Sequence, residues 1–290
     1  MPSYLNIRNK EEKIRLQVQS MKDTAREKRS TDVQRERIPT SDSTLIPERG
    51  KRDIFSAWRI SFFGAIGLLI FLVIFSPDPY GRILRFLPDG ILRTFQVTVL
   101  SILLALVIGL LAGLGRISRI RPINRVATVY VEVIRGIPLL VQIFYIYYAL
   151  GRIVKIPDIA SAIIAMSICY GAYLGEIIRA GIQSIPKGQM EAALALGFSR
   201  RKAMQHIILP QTVKIILPPV GNEFIALLKD SSLVSILAVS DLLRRGREFA
   251  SRTFEYFETL TVVALVYLVL TLFFSWLVGL MEERLNRDVR

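Results

Sequence analysis

The sequence holds one cysteine, Cys169, and one histidine, His206, in 290 residues. A single thiol inside an apolar run excludes a disulfide within the chain and reads as a small buried hydrophobe. A histidine with no second ligand type near it in sequence suggests neither a metal site nor a triad. No GxxxxGK[ST] phosphate loop occurs, so the chain does not hold a nucleotide by that route. Acidic residues are outnumbered, 24 against 38 Lys and Arg, which leaves a formal charge of +14. What the chain has in abundance is apolar length: 52% of it is hydrophobic, too much for an ordinary soluble domain. Basic charge on such a chain points to a cytoplasmic membrane face and anionic lipid, not to nucleic acid.

Residues 1–53 are polar, mixed in charge and carry one aromatic, Tyr4. That composition buries too little apolar surface to fold, so a disordered or partly helical cytoplasmic tail is expected. It does not read as a secretory signal, because no apolar core with a small-residue cleavage site stands near the start. Six apolar blocks follow, at about 58–76, 91–115, 126–150, 159–182, 211–237 and 257–280. Each is near the roughly 20 residues a helix needs to cross a bilayer. The expected fold is all-α, a polytopic transmembrane bundle of about six spans.

Six spans put both termini on one side. Lys51 and Arg52, then Arg116, Arg119, Arg121 and Arg125, then Lys187, Arg200, Arg201 and Lys202, and finally Arg284, Arg287 and Arg290 all fall there. Basic flanks mark that side as the cytoplasm. Arg244, Arg245, Arg247 and Arg252 fall on the other side, against the rule. Asp241, Glu248, Glu255 and Glu258 are interleaved with them, and 241–252 is expected to be a charged amphipathic helix on the outer face.

Ionisable residues at membrane depth are costly enough to be candidate functional groups. Glu132 and Arg135 precede Gly136 and Pro138, which should kink the third span and free backbone carbonyls. Glu176 and Arg179 lie near the cytoplasmic end of the fourth. Both pairs are spaced i, i+3, so an interfacial ion pair weighs about equally with a transport role. The fifth block reads Leu217-Pro218-Pro219-Val220-Gly221-Asn222-Glu223 and closes on Lys229-Asp230-Ser231-Ser232. Its prolines and glycine predict a helix broken near the middle. Glu223 and Asp230, seven residues apart, share one face. Stacked carboxylates with Lys229 alongside suit a ligand carrying an ammonium group, and interrupted helices recur at transport sites.

Between the fourth and fifth blocks runs a polar interruption, residues 186–210, PKGQMEAALALGFSRRKAMQHIILP. Pro186 and Gly188 break the preceding helix. A short helix is expected over 189–196, with Glu191 in its first turn, where the dipole favours an anion. Gly197 stops that helix, and Ser199 caps a second one carrying Arg200, Arg201 and Lys202. Ala192, Ala193 and Ala195 leave a small surface for a partner. Taken alone, the hairpin could be an amphipathic surface loop or a basic DNA-binding hairpin.

The spacing Glu191-Ala192-Ala193, three residues, Gly197, nine residues, Ile207-x-Leu209-Pro210 resembles the EAA signature of bacterial ATP-binding cassette (ABC) importer permeases. Seven positions, each with a background frequency of roughly 5–10%, make a chance match rare. RTFQVTVLSILLALVIGLLAGLGRIS, YVEVIRGIPLLVQIFYIYYAL, AYLGEIIRAGIQSIPKGQ and LPPVGNEFIALLKDSSLVSIL resemble the polar amino acid uptake branch, the histidine, glutamine and arginine type.

The resemblance implies a type I permease domain over 90–282, preceded by an extra transmembrane helix and outer loop at 54–89 and followed by a cytoplasmic tail at 283–290. It implies a multi-pass protein of the bacterial inner membrane, not itself an enzyme, that imports polar amino acids, basic ones included, by alternating access. Its partners would be a second permease copy or sister permease, two ATP-binding subunits holding ATP and Mg, and a periplasmic or lipid-anchored solute-binding protein. Glu191, Ala192, Ala193 and Gly197 would couple to the ATP-binding subunits. Glu223 and Asp230 would face the substrate's ammonium or cationic side chain, and Lys229 and Arg135 its carboxylate. The outer connections are too short for a fused binding domain. An ion-coupled carrier and a non-transporting adaptor are the competing classes, and neither explains the EAA spacing.

Overall fold

The computed structural model describes residues 57–153 and 156–287. The chain divides into two units, Met1–Thr44 and Leu45–Arg290. The first unit, the whole tail expected at 1–53 and the last three residues of the tail expected at 283–290 lie outside the described residues.

Eleven α-helices are found among the described residues, and no strand. In order they are α1 (Ala57–Phe75), α2 (Pro77–Phe86), α3 (Pro88–Ile117), α4 (Arg121–Gly136), α5 (Leu139–Ile153), α6 (Asp158–Ser184), α7 (Lys187–Ala195), α8 (Arg200–Ala203), α9 (Leu209–Asp230), α10 (Leu242–Thr253) and α11 (Tyr256–Arg287). A π turn, Met204–Ile208, joins α8 to α9, and a 3-10 turn, Ser231–Leu237, follows α9. Pro77 and Pro88 open α2 and α3 at positions where a missing N–H costs nothing. The stretch expected as an outer loop is thus partly helical: α2 buries Ile83 against α10 and α11. Helix α11 also outruns the expected span end at about 280 and enters the expected tail at 283–290, because Glu282, Glu283, Arg284 and Leu285 all favour helix.

By length and composition α1, α2 with α3, α6 and α11 are apolar enough to cross a membrane, and α4 with α5, bent by 113°, makes a fifth. The remaining expected span, α9, carries Lys214, Glu223, Lys229 and Asp230 in 22 residues. One correction concerns this helix. It runs unbroken through Pro218 and Pro219, because proline removes a donor while keeping a helical φ, and neighbouring helices hold the segment. A Cβ added at Gly221 would stand 2.7 Å from Val278 Cγ2 on α11. The regular ladder gives way only after Asp230.

The centre of the fold is the pair α3 and α6. Gly109 and Gly113 on α3 face Gly171 and Gly175 on α6. A Cβ at Gly109 would lie 2.6 Å from Leu174 Cβ, and one at Gly113 would lie 2.8 Å from the Gly175 carbonyl oxygen. Gly-xxx-Gly on both partners lets two backbones touch, the usual way to gain dispersion where lipid removes the hydrophobic drive. Around this seam Val97, Met166, Tyr170, Leu174, Leu227 and Val234 form the main core. Buried hydroxyls bond to backbone: Ser167 Oγ donates to the Ile163 carbonyl at 2.6 Å, and Tyr130 OH to the Ile168 carbonyl at 2.5 Å.

A second core packs α2 and α10 on α11 through Ile83, Leu242, Phe249 and Val263. Helix α10 is the helix expected from the charge pattern, and its arginines weigh less than their number. Arg244 pairs with Glu248 at 3.1 Å. Arg245 reaches Asp89 at 3.2 Å and Glu248 at 3.4 Å, and its guanidinium lies 4.2 Å from the Phe86 ring. Asp241 is fully buried and caps α10, accepting from the Arg244 N–H at 3.0 Å and the Leu243 N–H at 3.3 Å.

Two outcomes follow. Gly113→Val should destabilise the protein by about 1–3 kcal/mol through overpacking, whereas Gly64→Ala, with nothing within 4 Å, should be silent; thermal unfolding in detergent reads both. Burial pushes the Asp241 carboxyl up to about 6 against its capping hydrogen bonds, from about 3.9 when unfolded. A raised pKa means stability that is full below about pH 4 and lost as pH rises through about 6. Asp241→Asn keeps a cap and should abolish that part of the pH dependence, read as the wild-type minus variant difference in melting temperature between those limits.

Candidate functional site

Helix α6 ends at Ser184, and the extended residues Ile185 and Pro186 lead into α7. Gly188, expected to break the chain, lies inside the first turn of α7. The helix starts two residues earlier than expected, so Glu191 stands in its second turn and gains little from the dipole. The stop is as expected. Gly197 takes φ +82°. Its N–H donates to Leu194 O at 3.0 Å, and the Phe198 N–H donates to Ala193 O at 3.1 Å. This is the paired-bond Schellman arrangement, which needs a residue without a Cβ penalty. Ser199 Oγ accepts from the Lys202 N–H at 3.4 Å and caps the second arm.

That second arm does not stop. It passes through the π turn into α9, the Leu209 N–H reaching back to Met204 O. Pro210 has no N–H to continue a regular ladder there. Glu191, Ala192 and Gly197 are exposed, while Ala193 is 1% exposed and packs inward. The hairpin thus shows Glu191, Ala192 and Gly197 to the outside, with Ala193 as its attachment to the fold.

The second group lies along α6, against which α4 and α9 each pack. Glu223 and Asp230 are both half-buried on α9, and Glu223 lies in the electrostatic field of Asp230 and of Arg135. Tyr170 OH on α6 donates to Asp230 Oδ2 at 2.7 Å. One turn further, the Tyr173 ring carries the exposed Arg135 guanidinium at 5.7 Å. Lys229 is exposed and forms no hydrogen bond, ion pair or ring contact among the described residues. Of the four expected residues, Asp230 and Arg135 each meet a tyrosine of α6, Glu223 lies on α9 two turns before Asp230, and Lys229 stands next to Asp230 in the chain with its side chain exposed.

Glu176 has a structural partner set. Arg179 grips both its oxygens and Arg116 of α3 grips one, tying α3 to α6 just below the glycine seam.

Two residues were missed by sequence reasoning. One is Tyr170, which reads as an ordinary core aromatic. The other is Gln142, a lone amide in an apolar run four residues after Pro138, which was a usable signal. The kink expected at Gly136 and Pro138 is present and frees carbonyls. The Gln142 amide nitrogen donates to Ile134 O and Ile137 O, while its oxygen accepts from Cys169 Sγ at 2.9 Å. A 4% exposed amide in this way closes the break onto α6. No cluster of three or more metal-capable side chains occurs among the described residues.

The hairpin geometry yields an expectation for Gly197→Ala. A Cβ at φ +82° costs about 1–2 kcal/mol, so amide hydrogen exchange at Gly197 and Phe198 should speed up roughly five- to thirtyfold, leaving the Gly109 and Gly175 amides unchanged.

The chain matches the model of the family described as binding-protein-dependent transport system inner membrane component over residues 105–287. The L-cystine transport system permease protein TcyB of Bacillus subtilis is 39% identical over 205 residues, 70% of this chain and 88% of that protein. The glutamine transport system permease protein GlnP of Escherichia coli is 40% identical over 201 residues, 68% of this chain and 92% of that one. A crystal structure of an amino acid ABC transporter with histidines superposes with TM-score 0.67 at 40% identity, covering 74% of this chain and 98% of that one. The inward facing MetNI methionine ABC transporter, at 19% identity and TM-score 0.58 over 74% of this chain and 99% of that one, shares the fold. The chain belongs to the family of binding-protein-dependent transport system inner membrane components and is a multi-pass membrane permease subunit.

Proposed function

We propose that this chain is the membrane subunit of an ATP-driven importer of polar amino acids, basic ones included, and that it moves them into the cytoplasm by alternating access. The observation that carries the proposal is the exposed Glu191-Ala192 step and the left-handed Gly197 turn, a rigid knob hung directly between α6 and α9. Both helices reach the charged group of Glu223, Asp230 and Arg135, so a push on the knob is delivered to that group through two packed helices. ATP and Mg belong to two partner ATP-binding subunits that dock on Glu191, Ala192 and Gly197, with Ala193 supporting them from below. A second permease copy or sister permease completes the pathway, and a periplasmic or lipid-anchored solute-binding protein loads it. Both termini then lie in the cytoplasm of a bacterial inner membrane. Amino acid cargo is supported by the relatives, whose names specify cystine, glutamine and arginine.

Asp230 and Glu223 take the substrate's positive group, and Arg135 takes its carboxylate. Lys229, exposed beside Asp230, is the less favoured carboxylate partner.

Reconstitution in proteoliposomes with the ATP-binding subunits and solute-binding protein tests the reading. ATP on the side of the ATP-binding subunits should drive uptake that an ionophore leaves intact. Glu191→Lys and Gly197→Asp should each abolish the stimulation of ATPase activity by loaded binding protein. Uptake that needs no ATP, or variants that dock and turn over like wild type, would overturn the assignment.

A further inference from the structure

Glu132 and Arg135 have the i, i+3 spacing of an ion pair, yet the pair does not form. The Arg135 guanidinium lies over the Tyr173 ring, and Glu132 is exposed with no hydrogen bond or ion pair among the described residues. Its depth is fixed by its neighbour. Val131 is 1% exposed and packs on Ala112 and Ala172, each of which adjoins a seam glycine in the chain. Glu132 is therefore level with the seam, about 16 Å along α4 from Arg121 and half the roughly 30 Å of a hydrocarbon core. Lipid offers a lone carboxylate no partner there, and ionisable groups at membrane depth face protein or water.

Glu132 belongs to a row. Arg121, Arg125, Thr128, Glu132 and Arg135 follow one another at intervals of four, three, four and three residues, the spacing of a single helix edge. Thr128 is half-buried and the other four are exposed. Arg121 and Arg125 also form no hydrogen bond or ion pair among the described residues. The next edge round the helix, Val126, Val129 and Val133, is exposed and wholly apolar. Two edges so unlike do not share a solvent: the valines suit lipid and the charged row suits water. The row is also unbalanced in sign. From Thr128, Arg125 lies about 4.5 Å along the axis, Glu132 about 6 Å, and Arg121 and Arg135 about 10 Å each, so three cations outweigh one anion.

We infer that this edge of α4 is the electropositive wall of a water-filled vestibule, open at the α3–α4 end of the bundle, which draws in carboxylates and other anions and holds back cations. In the orientation of the transport reading, on which this step rests, that end is cytoplasmic and the wall lines the way out. Cargo with a cationic side chain then leaves against the field, and cargo with an anionic one leaves with it.

Thiol labelling in a bilayer tests the wall. Cys169, the chain's sole cysteine, is buried and bonded to Gln142, so wild type supplies the blank. Thr128→Cys and Val129→Cys are each purified as the monodisperse complex with the permease and ATP-binding partners and placed in lipid nanodiscs. Each is then treated with a sulfonate-bearing or a trimethylammonium-bearing thiosulfonate, and the intact mass of this chain is followed. Thr128→Cys should react at least about tenfold faster than Val129→Cys, because a thiol in lipid neither ionises nor meets the reagent. Divided by the same ratio in SDS, the anionic reagent should lead the cationic one at Thr128→Cys by about fivefold or more, as a positive cleft concentrates anions. Arg125→Gln added to Thr128→Cys should shrink that lead, and about 1 M salt should collapse it. If Thr128→Cys reacts no faster than Val129→Cys, the edge is dry, covered by lipid or by the second permease, and the inference is overturned. Equal rates with the two reagents, or a lead for the cation, overturn it as well. Labelling needs neither ATP nor cargo. Absence of ATP-driven uptake beside a wet, anion-preferring edge would overturn the transport reading and leave the wall standing, and a dry edge beside intact uptake would do the reverse.

Discussion

Direct backbone contact between α3 and α6 is the constraint on which the rest depends. Four glycines, Gly109, Gly113, Gly171 and Gly175, remove the side chains that would hold the helices apart, and a Cβ at any of them would meet a neighbour at 3.0 Å or less. In a bilayer two helices gain little by hiding apolar surface from lipid, so contact must come from close packing and polar bonds. The seam supplies the first. Arg116 gripping Glu176 supplies the second at its lower end. Helix α6 becomes a fixed rail, and what it carries, Tyr170 and Tyr173 above and the hairpin below, keeps a constant separation.

The treatment of polar groups separates structure from function. At membrane depth an unpaired polar group is expensive, and most such groups here are paired. Gln142 spends its whole amide on the carbonyls freed at the Gly136 break and on Cys169. Ser167, Thr98 and Tyr130 donate to backbone carbonyls, and Glu176 is shared between two arginines. Against that background the incompletely used groups stand out. Arg135 is exposed, and Asp230 has one oxygen bonded to Tyr170. Both reach α6, Asp230 at the Tyr170 hydroxyl and Arg135 over the Tyr173 ring.

The hairpin was legible almost in full, because its signals are local. Gly197 as a positive-φ stop, Ser199 as a cap and the charged helix beginning after Asp241 each rest on the preferences of a few consecutive residues. Errors came where a local rule met tertiary packing. Pro218 and Pro219 read as a break, yet α9 stays whole because contacts such as Gly221 against Val278 hold it. Glu191 was assigned to a first turn because Gly188 was read as a breaker, and the helix incorporates that glycine. Tyr170 carried no signal, since a tyrosine in an apolar run looks the same whether its hydroxyl meets a backbone carbonyl or a carboxylate 60 residues away.

The sequence by itself determined the class of the molecule, its family and the form of the 186–210 hairpin, because apolar length, spacing of EAA-type residues and turn chemistry are properties of contiguous chain. It also named Glu223, Asp230 and Arg135 as charges needing a reason to be at membrane depth. Only the tertiary structure decided that Tyr170 meets Asp230, that the Arg135 guanidinium lies over the Tyr173 ring, and that Ala193 faces inward. Those are relations between helices far apart in sequence, set by how closely α3 and α6 approach, and a distance between helices has no local signature.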